Sequence, residues 1–244
     1  MSRVALITGA SRGLGGALTR ALLAEGWRVH GCYRDRDADA DALRDGLDAD
    51  ARSRLALSRC DLADGAMRAR WCDDALRGEG RCDALVHAAG PFLRAPLLEQ
   101  SPEAMRLLYE VNVVALHALA CAVAPWMRAR RWGRVLSFGL ASTHRGAAPP
   151  VLAAYYCAKA AATSLVRALA RELAPDHITA NVIAPGVIDS GGLDAAELQR
   201  LQPSIPAGYI GDARDAVSAA RWLLSDEARY VSGTEVLVSG AWGL

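Results

Sequence analysis

Lysine is almost missing from this 244-residue chain: of its 28 basic residues only Lys159 is a lysine, and the other 27 are arginines. Asparagine is nearly as scarce, with Asn112 and Asn181 alone. Lys and Asn codons are AT-rich, so a GC-rich coding sequence explains the bias, and each survivor gains a chemical reason to be there. An excess of either charge is absent too. The 28 basic and 27 acidic residues leave a net charge of +1, which excludes a disordered charged tail and nucleic-acid binding driven by net charge. The six cysteines include no CxxC pair and are too few for a disulfide scaffold, so they are expected as reduced, mostly buried thiols. No uninterrupted apolar run reaches the roughly 18–20 residues of a membrane span. Val111–Trp126 comes closest and contains His117. The opening Met1-Ser2-Arg3-Val4 has no leader pattern, and a cytoplasmic location without membrane attachment is expected.

What is present is an alternation. Short apolar, β-branched runs at Val4–Thr8, Arg28–Tyr33, Leu55–Arg59, Ala84–His87, Val135–Phe138, Thr179–Ala184 and Glu235–Val238 are separated by Ala/Leu-rich segments with helical spacing. The pattern predicts an α/β fold: a single doubly wound Rossmann domain over 1–244, with a mainly parallel seven-stranded sheet flanked by helices. Ser101-Pro102-Glu103 supplies an N-cap, a first-turn proline and an acid near the positive helix end, opening a long helix towards Arg130. The polar stretch Asp35–Arg54 is read as one solvated helix.

Between the first strand and the first helix stands Thr8-Gly9-Ala10-Ser11-Arg12-Gly13-Leu14-Gly15. Glycines there let backbone amides approach a pyrophosphate, which the positive helix end also attracts, so a dinucleotide is the expected ligand. The second strand ends at Tyr33-Arg34 rather than at an acid. Arg34 with Arg12 can fork around a 2′-phosphate, which favours NADPH over NADH, with Asp35 as the alternative ribose ligand. In Tyr155-Tyr156-Cys157-Ala158-Lys159, a spacing of four puts Tyr155 and the single lysine on one helical face. The ammonium is expected to lower the phenol's pKa towards working pH and make Tyr155 a general acid.

With these motifs, the chain resembles the short-chain dehydrogenase/reductase family in the form of the 3-oxoacyl-carrier-protein reductases. The likeness runs in order through the glycine-rich turn, Cys60-Asp61-Leu62, His87-Ala88-Ala89-Gly90, Asn112, Tyr155 with Lys159, Asn181, Pro185-Gly186-Val187-Ile188 and Val231-Ser232-Gly233. It implies Asp61 on the adenine, Leu62, Ala89 and Gly90 beside the cofactor, and Pro185, Gly186 and Ile188 around the nicotinamide. It also implies Lys159 on the nicotinamide ribose and Asn112 as the water-holding residue of a proton relay.

Three positions depart from the family. His87-Ala88 replaces two asparagines that help to fix the fourth strand, and that link is expected to weaken. Ser190 stands for a threonine and keeps its hydroxyl. At the catalytic serine two counts disagree. Aligning Gly133–Gly139 on the fifth strand puts Leu140 there, whereas counting back from Tyr155 gives Ser142. Either the following loop carries two extra residues and the serine is missing, or a bulge turns Ser142 into the site. Ser142 is the candidate, with Thr143 and His144 as other donors and Ser137 as a strand residue.

The resemblance implies hydride transfer to a carbonyl of an acyl, polyketide-like or other hydrophobic metabolite, possibly carrier-bound, under a lid at about 189–209. A pterin or cyclic imine reductase and a catalytically impaired NADPH-binding scaffold remain alternatives. A homotetramer or homodimer is implied, and Trp126, Trp132 and Ala241–Leu244 would suit its interface or the core. His30, His117 and His177 are read as structural, Arg128–Arg131 as a solvated helix end, and no metal or nucleic acid is expected.

Overall fold

Parallel strands buried on both faces need apolar side chains at nearly every position, and Val4–Thr8 (β1) and Ala84–His87 (β4) are buried throughout. The computed structural model describes residues 2–141, 143, 150–192 and 194–244. Its main sheet also contains β2 (Arg28–Tyr33), β3 (Leu55–Arg59), β5 (Gly133–Phe138), β6 (Ile178–Pro185) and, after two short strands, β9 (Glu235–Val238). The order is β3-β2-β1-β4-β5-β6-β9, and every pairing is parallel. Five strand ranges coincide with those read from sequence; β5 and β6 extend further. Gly133 opens β5 because Met127 occupies the space of a side chain: a Cβ there would lie 2.5 Å from the Met127 sulfur.

Helices cover both faces. On one side pack α4 (Gly65–Glu79), α6 (Ala115–Arg130) and α7 (Ala153–Leu173). Their Trp71, Leu76, Leu116, Leu119, Val123, Met127, Val166 and Leu173 meet Leu6, Leu85 and Val135 of the sheet. On the other side α1 (Gly13–Ala24) and α9 (Ala213–Leu224) bring Leu18, Leu22, Leu223 and Leu224 against Ile7, Val86 and Leu136. The polar stretch after β2 forms two helices, not one: α2 (Asp37–Asp45) stops at Gly46, and α3 (Ala49–Ser53) restarts where the Asp48 carboxylate caps the amide of Ala51 at 2.7 Å.

The helix opened by Ser101 is long but not uniform. The Ser101 hydroxyl accepts the Ala104 amide at 3.1 Å, α5 runs Pro102–Tyr109, a π turn spans Glu110–Val114, and α6 continues to Arg130. Read as one 29-residue helix, Pro102–Arg130 is long and apolar enough to cross a membrane, where the reading of uninterrupted runs finds only the shorter Val111–Trp126. Half of its most apolar window is buried within this fold, which is how a core helix of a sheet protein arises as well.

The segment expected to act as a lid has structure of its own. Strand β7 (Ile188–Asp189) pairs with β8 (Gly211–Asp212), and between them α8 (Ala195–Leu201) is capped by Asp194. Leu198 and Ile205 pack with Val187 and Trp242. Trp126, on α6, is partly buried against the core. Trp132 lies between the guanidinium groups of Arg3 and Arg134, 4.4 and 4.3 Å away, and donates to Asp226 at 2.8 Å. Its ring is therefore engaged within the chain. The exposed large apolar side chains include Tyr109, Val114, Trp222 and Tyr230 instead.

Candidate active site

After β1 the chain builds outward to β2 and β3, then returns to lay β4 on the other side of β1. In such sheets the crevice beyond the carboxyl ends of the strands at this reversal is where ligands bind. A cavity of about 610 Å³ opens there. Its first wall is the glycine-rich turn, and two glycines are dictated by space. Gly9 has a φ of +65°, and a Cβ on it would lie 2.9 Å from the Ala89 amide nitrogen; a Cβ on Gly15 would lie 2.2 Å from the Gly9 carbonyl oxygen. Helix α1 then starts at Gly13, and its N-cap Arg12 makes no side-chain capping bond among the described residues; its first turn holds no acid. Its leading amides and the positive end of its dipole face the cavity uncompensated, a fit for a pyrophosphate.

The cavity takes in Ser11, Arg12, Gly13, Leu14, Arg34, Asp61, Leu62, Ala89, Gly90, Tyr155, Lys159, Pro185 and Ser190 as well. Gly186 and Ile188 lie outside its lining. The Gly186 amide is bonded to Val238 at 3.0 Å, and Ile188 is taken up by β7 and the core under α9. At the adenosine end Arg34 is held by Asp35 at 2.8 Å, and Arg12 stands 3.8 Å from Asp39. Arg36, which the sequence reading did not single out, also lines this end, as do Cys32 and Cys60. Phe92, Leu107 and Val111 line the other end and were likewise missed; the only signal for them was apolar character next to a motif.

Helix α7 carries Tyr155 and Lys159, one turn apart. The Lys159 amine is buried, donates to the Phe138 carbonyl at 2.8 Å, and is pushed down to about 8 by burial. It stands 5.6 Å from the centre of the Tyr155 ring. The phenol, however, moves opposite to expectation. Burial, with a smaller contribution from Tyr156, pushes it up to about 12. Desolvation penalises the phenolate more than an amine at this distance favours it. The Phe92 ring meets Tyr155 edge-on at 5.2 Å.

Asn112 sits in the π turn. Its amide nitrogen donates to the Leu108 carbonyl at 2.8 Å, while Oδ1 is buried without a partner among the described residues. A Cβ added to Gly90 would lie 2.9 Å from this oxygen and 3.2 Å from the Lys159 nitrogen. Glycine at 90 thus leaves a small polar gap where Asn112 and Lys159 converge, and a water or a ribose hydroxyl can satisfy both.

The link expected to weaken at the family's two asparagines is intact in another form. The Ala89 amide donates to the Thr8 hydroxyl at 3.1 Å, Thr8 is bonded to His87 Nδ1 at 3.1 Å, and His87 Nε2 is bonded to the Val111 carbonyl at 2.9 Å. Val111 offers an acceptor alone, so Nε2 carries the proton and Nδ1 accepts from Thr8. Burial, helped by the Lys159 charge, lowers His87 to about 3 and keeps it neutral.

At the serine position, strand β5 hydrogen-bonds regularly past its end: the Gly139 amide donates to Ile183 at 2.7 Å and the Ala141 amide to Pro185 at 2.9 Å. No bulge interrupts that register up to Ala141, so the strand count places Leu140 where the hydroxyl belongs. Thr143 Oγ1 lies between the Leu140 carbonyl, at 3.0 Å, and Glu235, at 3.3 Å, and is occupied there. Ser137 is buried in β5, paired with His87 and Val182. Ser142 and His144 lie outside the described residues. No cluster with metal-binding composition occurs among the described residues. His30 is hydrogen-bonded to Glu79 at 2.8 Å, and Arg128 is paired with Asp176 at 2.9 Å, so both side chains are engaged within the chain.

Residues 9–242 match the family model described as Enoyl-(Acyl carrier protein) reductase. The 3-oxoacyl-acyl-carrier-protein reductase of Escherichia coli is 33% identical over 242 residues, covering 98% of this chain and 96% of that protein. The acetoacetyl-CoA reductase of Shinella zoogloeoides is 30% identical and covers 98% of each. Among solved structures, a short-chain dehydrogenase from Burkholderia cenocepacia in complex with NADP superposes with a TM-score of 0.91 at 28% identity, covering 99% of this chain and 98% of that one. Agreement of this extent, over nearly the whole length of the chain, establishes that it belongs to the short-chain dehydrogenase/reductase family of oxidoreductases.

Proposed function

We propose that this oxidoreductase is an NADPH-dependent ketoreductase acting on the carbonyl of an acyl thioester, a polyketide-like intermediate or another hydrophobic metabolite, with Tyr155 as general acid. One observation carries the reading: the chain's single lysine, which is buried, and the half-buried Tyr155 line the same cavity as the uncapped start of α1. The relatives named for 3-oxoacyl and acetoacetyl thioesters support the substrate class, and the NADP-bound neighbour supports the cofactor. When bound, the reduced nicotinamide supplies the hydride. The first amides of α1 hold the pyrophosphate. Arg12 and Arg34 would exchange Asp39 and Asp35 for a 2′-phosphate, whose charge and geometry suit guanidinium better, and Arg36 at the same end of the cavity would add a third guanidinium. Tyr155, kept protonated by burial, gives its proton to the carbonyl oxygen as charge develops there, and the Lys159 ammonium stabilises the phenolate left behind. Asn112 Oδ1 holds the water that returns the proton. The fold reads as one domain over 1–244, cytoplasmic in keeping with its free cysteines, with the 189–209 segment over the substrate and with a dimer or tetramer as the assembly.

Leu140 in regular strand register favours a second reading, a pterin or cyclic imine reductase. Such a substrate already carries a polarised C=N bond and depends less on a carbonyl-orienting hydroxyl. Turnover of NADPH against a panel of 3-oxoacyl thioesters, aryl ketones and cyclic imines separates the two. The ketoreductase reading predicts turnover of thioesters or ketones; if Ser142 supplies the hydroxyl that Leu140 lacks, Ser142→Ala lowers kcat by about a hundred- to a thousandfold, the usual cost of a lost oxyanion donor. Imine turnover alone supports the second reading, and NADPH binding with no turnover supports the scaffold. Ketone turnover unchanged in Ser142→Ala removes Ser142 from the site.

A further inference from the structure

We propose that His87 is a positioning residue for the proton route: its ring pins the π turn through the Val111 carbonyl and thereby sets Asn112 against Lys159. The proposal rests on the role given above to Asn112. It starts from a local problem of the helix. A π turn departs from the i to i−4 ladder and is found mostly as a single turn at functional sites, so something outside the helix has to stabilise it. Here the turn Glu110–Val114 is tethered at two successive residues. Arg68, buried on α4, holds Glu110 at 3.0 Å, and His87 Nε2 holds the Val111 carbonyl at 2.9 Å. The next residue is Asn112, whose orphaned Oδ1 faces the gap at Gly90 and the Lys159 amine.

The other side of the ring reaches the cofactor turn. Nδ1 accepts from Thr8, whose oxygen accepts the Ala89 amide, so the end of β1, the end of β4 and the π turn are joined in one chain of hydrogen bonds. All three groups are buried, and a buried polar group deprived of its partner is costly, so each link fixes the next. A side chain that is short or lacks a donor at its tip cannot span from Thr8 to Val111. Imidazole does so because its two nitrogens point in divergent directions and one tautomer serves both partners. His87 is outside the lining of the cavity, so its effect passes through Val111 to Asn112.

The test compares His87→Phe, which keeps the ring volume without its hydrogen bonds, with His87→Gln, whose terminal amide can donate to Val111. The expected result is a kcat about a hundredfold lower in His87→Phe, the scale of an ångström-level misplacement, with the NADPH dissociation constant within about twofold of wild type. His87→Gln should recover most of the lost kcat. Amide hydrogen exchange supplies a readout that needs neither substrate nor cofactor: residues 110–114 should exchange faster in His87→Phe and near the wild-type rate in His87→Gln, with α7 unchanged in both. Full kcat in His87→Phe overturns the proposal, as does equal loss in the two variants, or unchanged exchange at 110–114. If wild type reduces no ketone or imine, the ketoreductase reading fails by itself, and the exchange comparison still decides the tether.

Discussion

At the scale of residues, the outcome at Tyr155 and Lys159 turns on burial. A lysine lowered to about 8 from its ordinary 10.5 is disfavoured as a cation by the fold. Between those two pH values the unfolded chain binds more protons than the folded one, so this group's contribution to stability rises with pH across that window. Below pH 8 the penalty is constant at roughly 3 kcal/mol, from about 2.5 units at 1.36 kcal/mol each. Lys159→Met removes it, while leaving the Phe138 carbonyl without its donor costs about 1–3 kcal/mol. The stability difference between Lys159→Met and wild type, followed by urea denaturation, is therefore predicted to favour the variant most below pH 8 and to shift towards wild type between pH 8 and 10.5. A difference independent of pH over that range would mean that the amine is not buried as described. Tyr155 behaves in the reverse way: with the folded phenol raised to about 12, its contribution is constant below pH 10 and lost from about 10 to 12. The tyrosine and lysine were legible in sequence because one lysine in 28 basic residues fell four after a tyrosine. The direction of the phenol's shift was not, since spacing on a helix fixes which groups are near and says nothing of how much water reaches them.

At the scale of elements, strand positions were legible almost to the residue, because fully buried parallel strands such as Val4–Thr8 and Ala84–His87 print continuous apolar runs bounded by helix and turn residues. Helix interruptions were less so. Gly46 followed by an aspartate cap splits the helix after β2, and that signal was available in Gly46-Leu47-Asp48. The π turn was not available, because it is fixed by His87 and Arg68 from other elements. For the same reason His87 read as a lost asparagine when it carries a bridge of its own. The glycine-rich turn yields a sharper prediction. Gly15→Ala puts a methyl 2.2 Å from the Gly9 carbonyl oxygen, and backbone is the neighbour, so the turn must shift. The expected outcome is destabilisation by about 1–3 kcal/mol, the usual cost of overpacking, with a loss of NADPH affinity of tenfold or more, read by quenching of tryptophan fluorescence. Wild-type affinity in that variant would show that the turn does not hold the pyrophosphate.

At the scale of the whole molecule, the sheet order and the family emerged because the motifs are spread from residue 8 to residue 233 in a fixed sequence, each weak alone. Assembly is less legible: Trp132, a candidate for an interface, is occupied by Arg3, Arg134 and Asp226 within the chain. The exposed Tyr109 and Val114 on the long helix remain as apolar surface. A dimer or tetramer predicts a sedimentation mass of two or four times 25.9 kDa, reduced by Val114→Arg; a monomer at micromolar concentration would remove the assembly from the proposed function.

The central claim is that a half-buried, protonated Tyr155 beside Lys159 delivers the proton while a reduced nicotinamide delivers the hydride. Single-turnover reduction of a 3-oxoacyl thioester, followed as loss of NADPH absorbance in wild type and Tyr155→Phe, tests it most directly. The account predicts equal NADPH binding in the two proteins and a reduction step slower by about a hundred- to ten-thousandfold in Tyr155→Phe, the range for a lost general acid. A Tyr155→Phe protein that reduces the same thioester at the wild-type rate would contradict it.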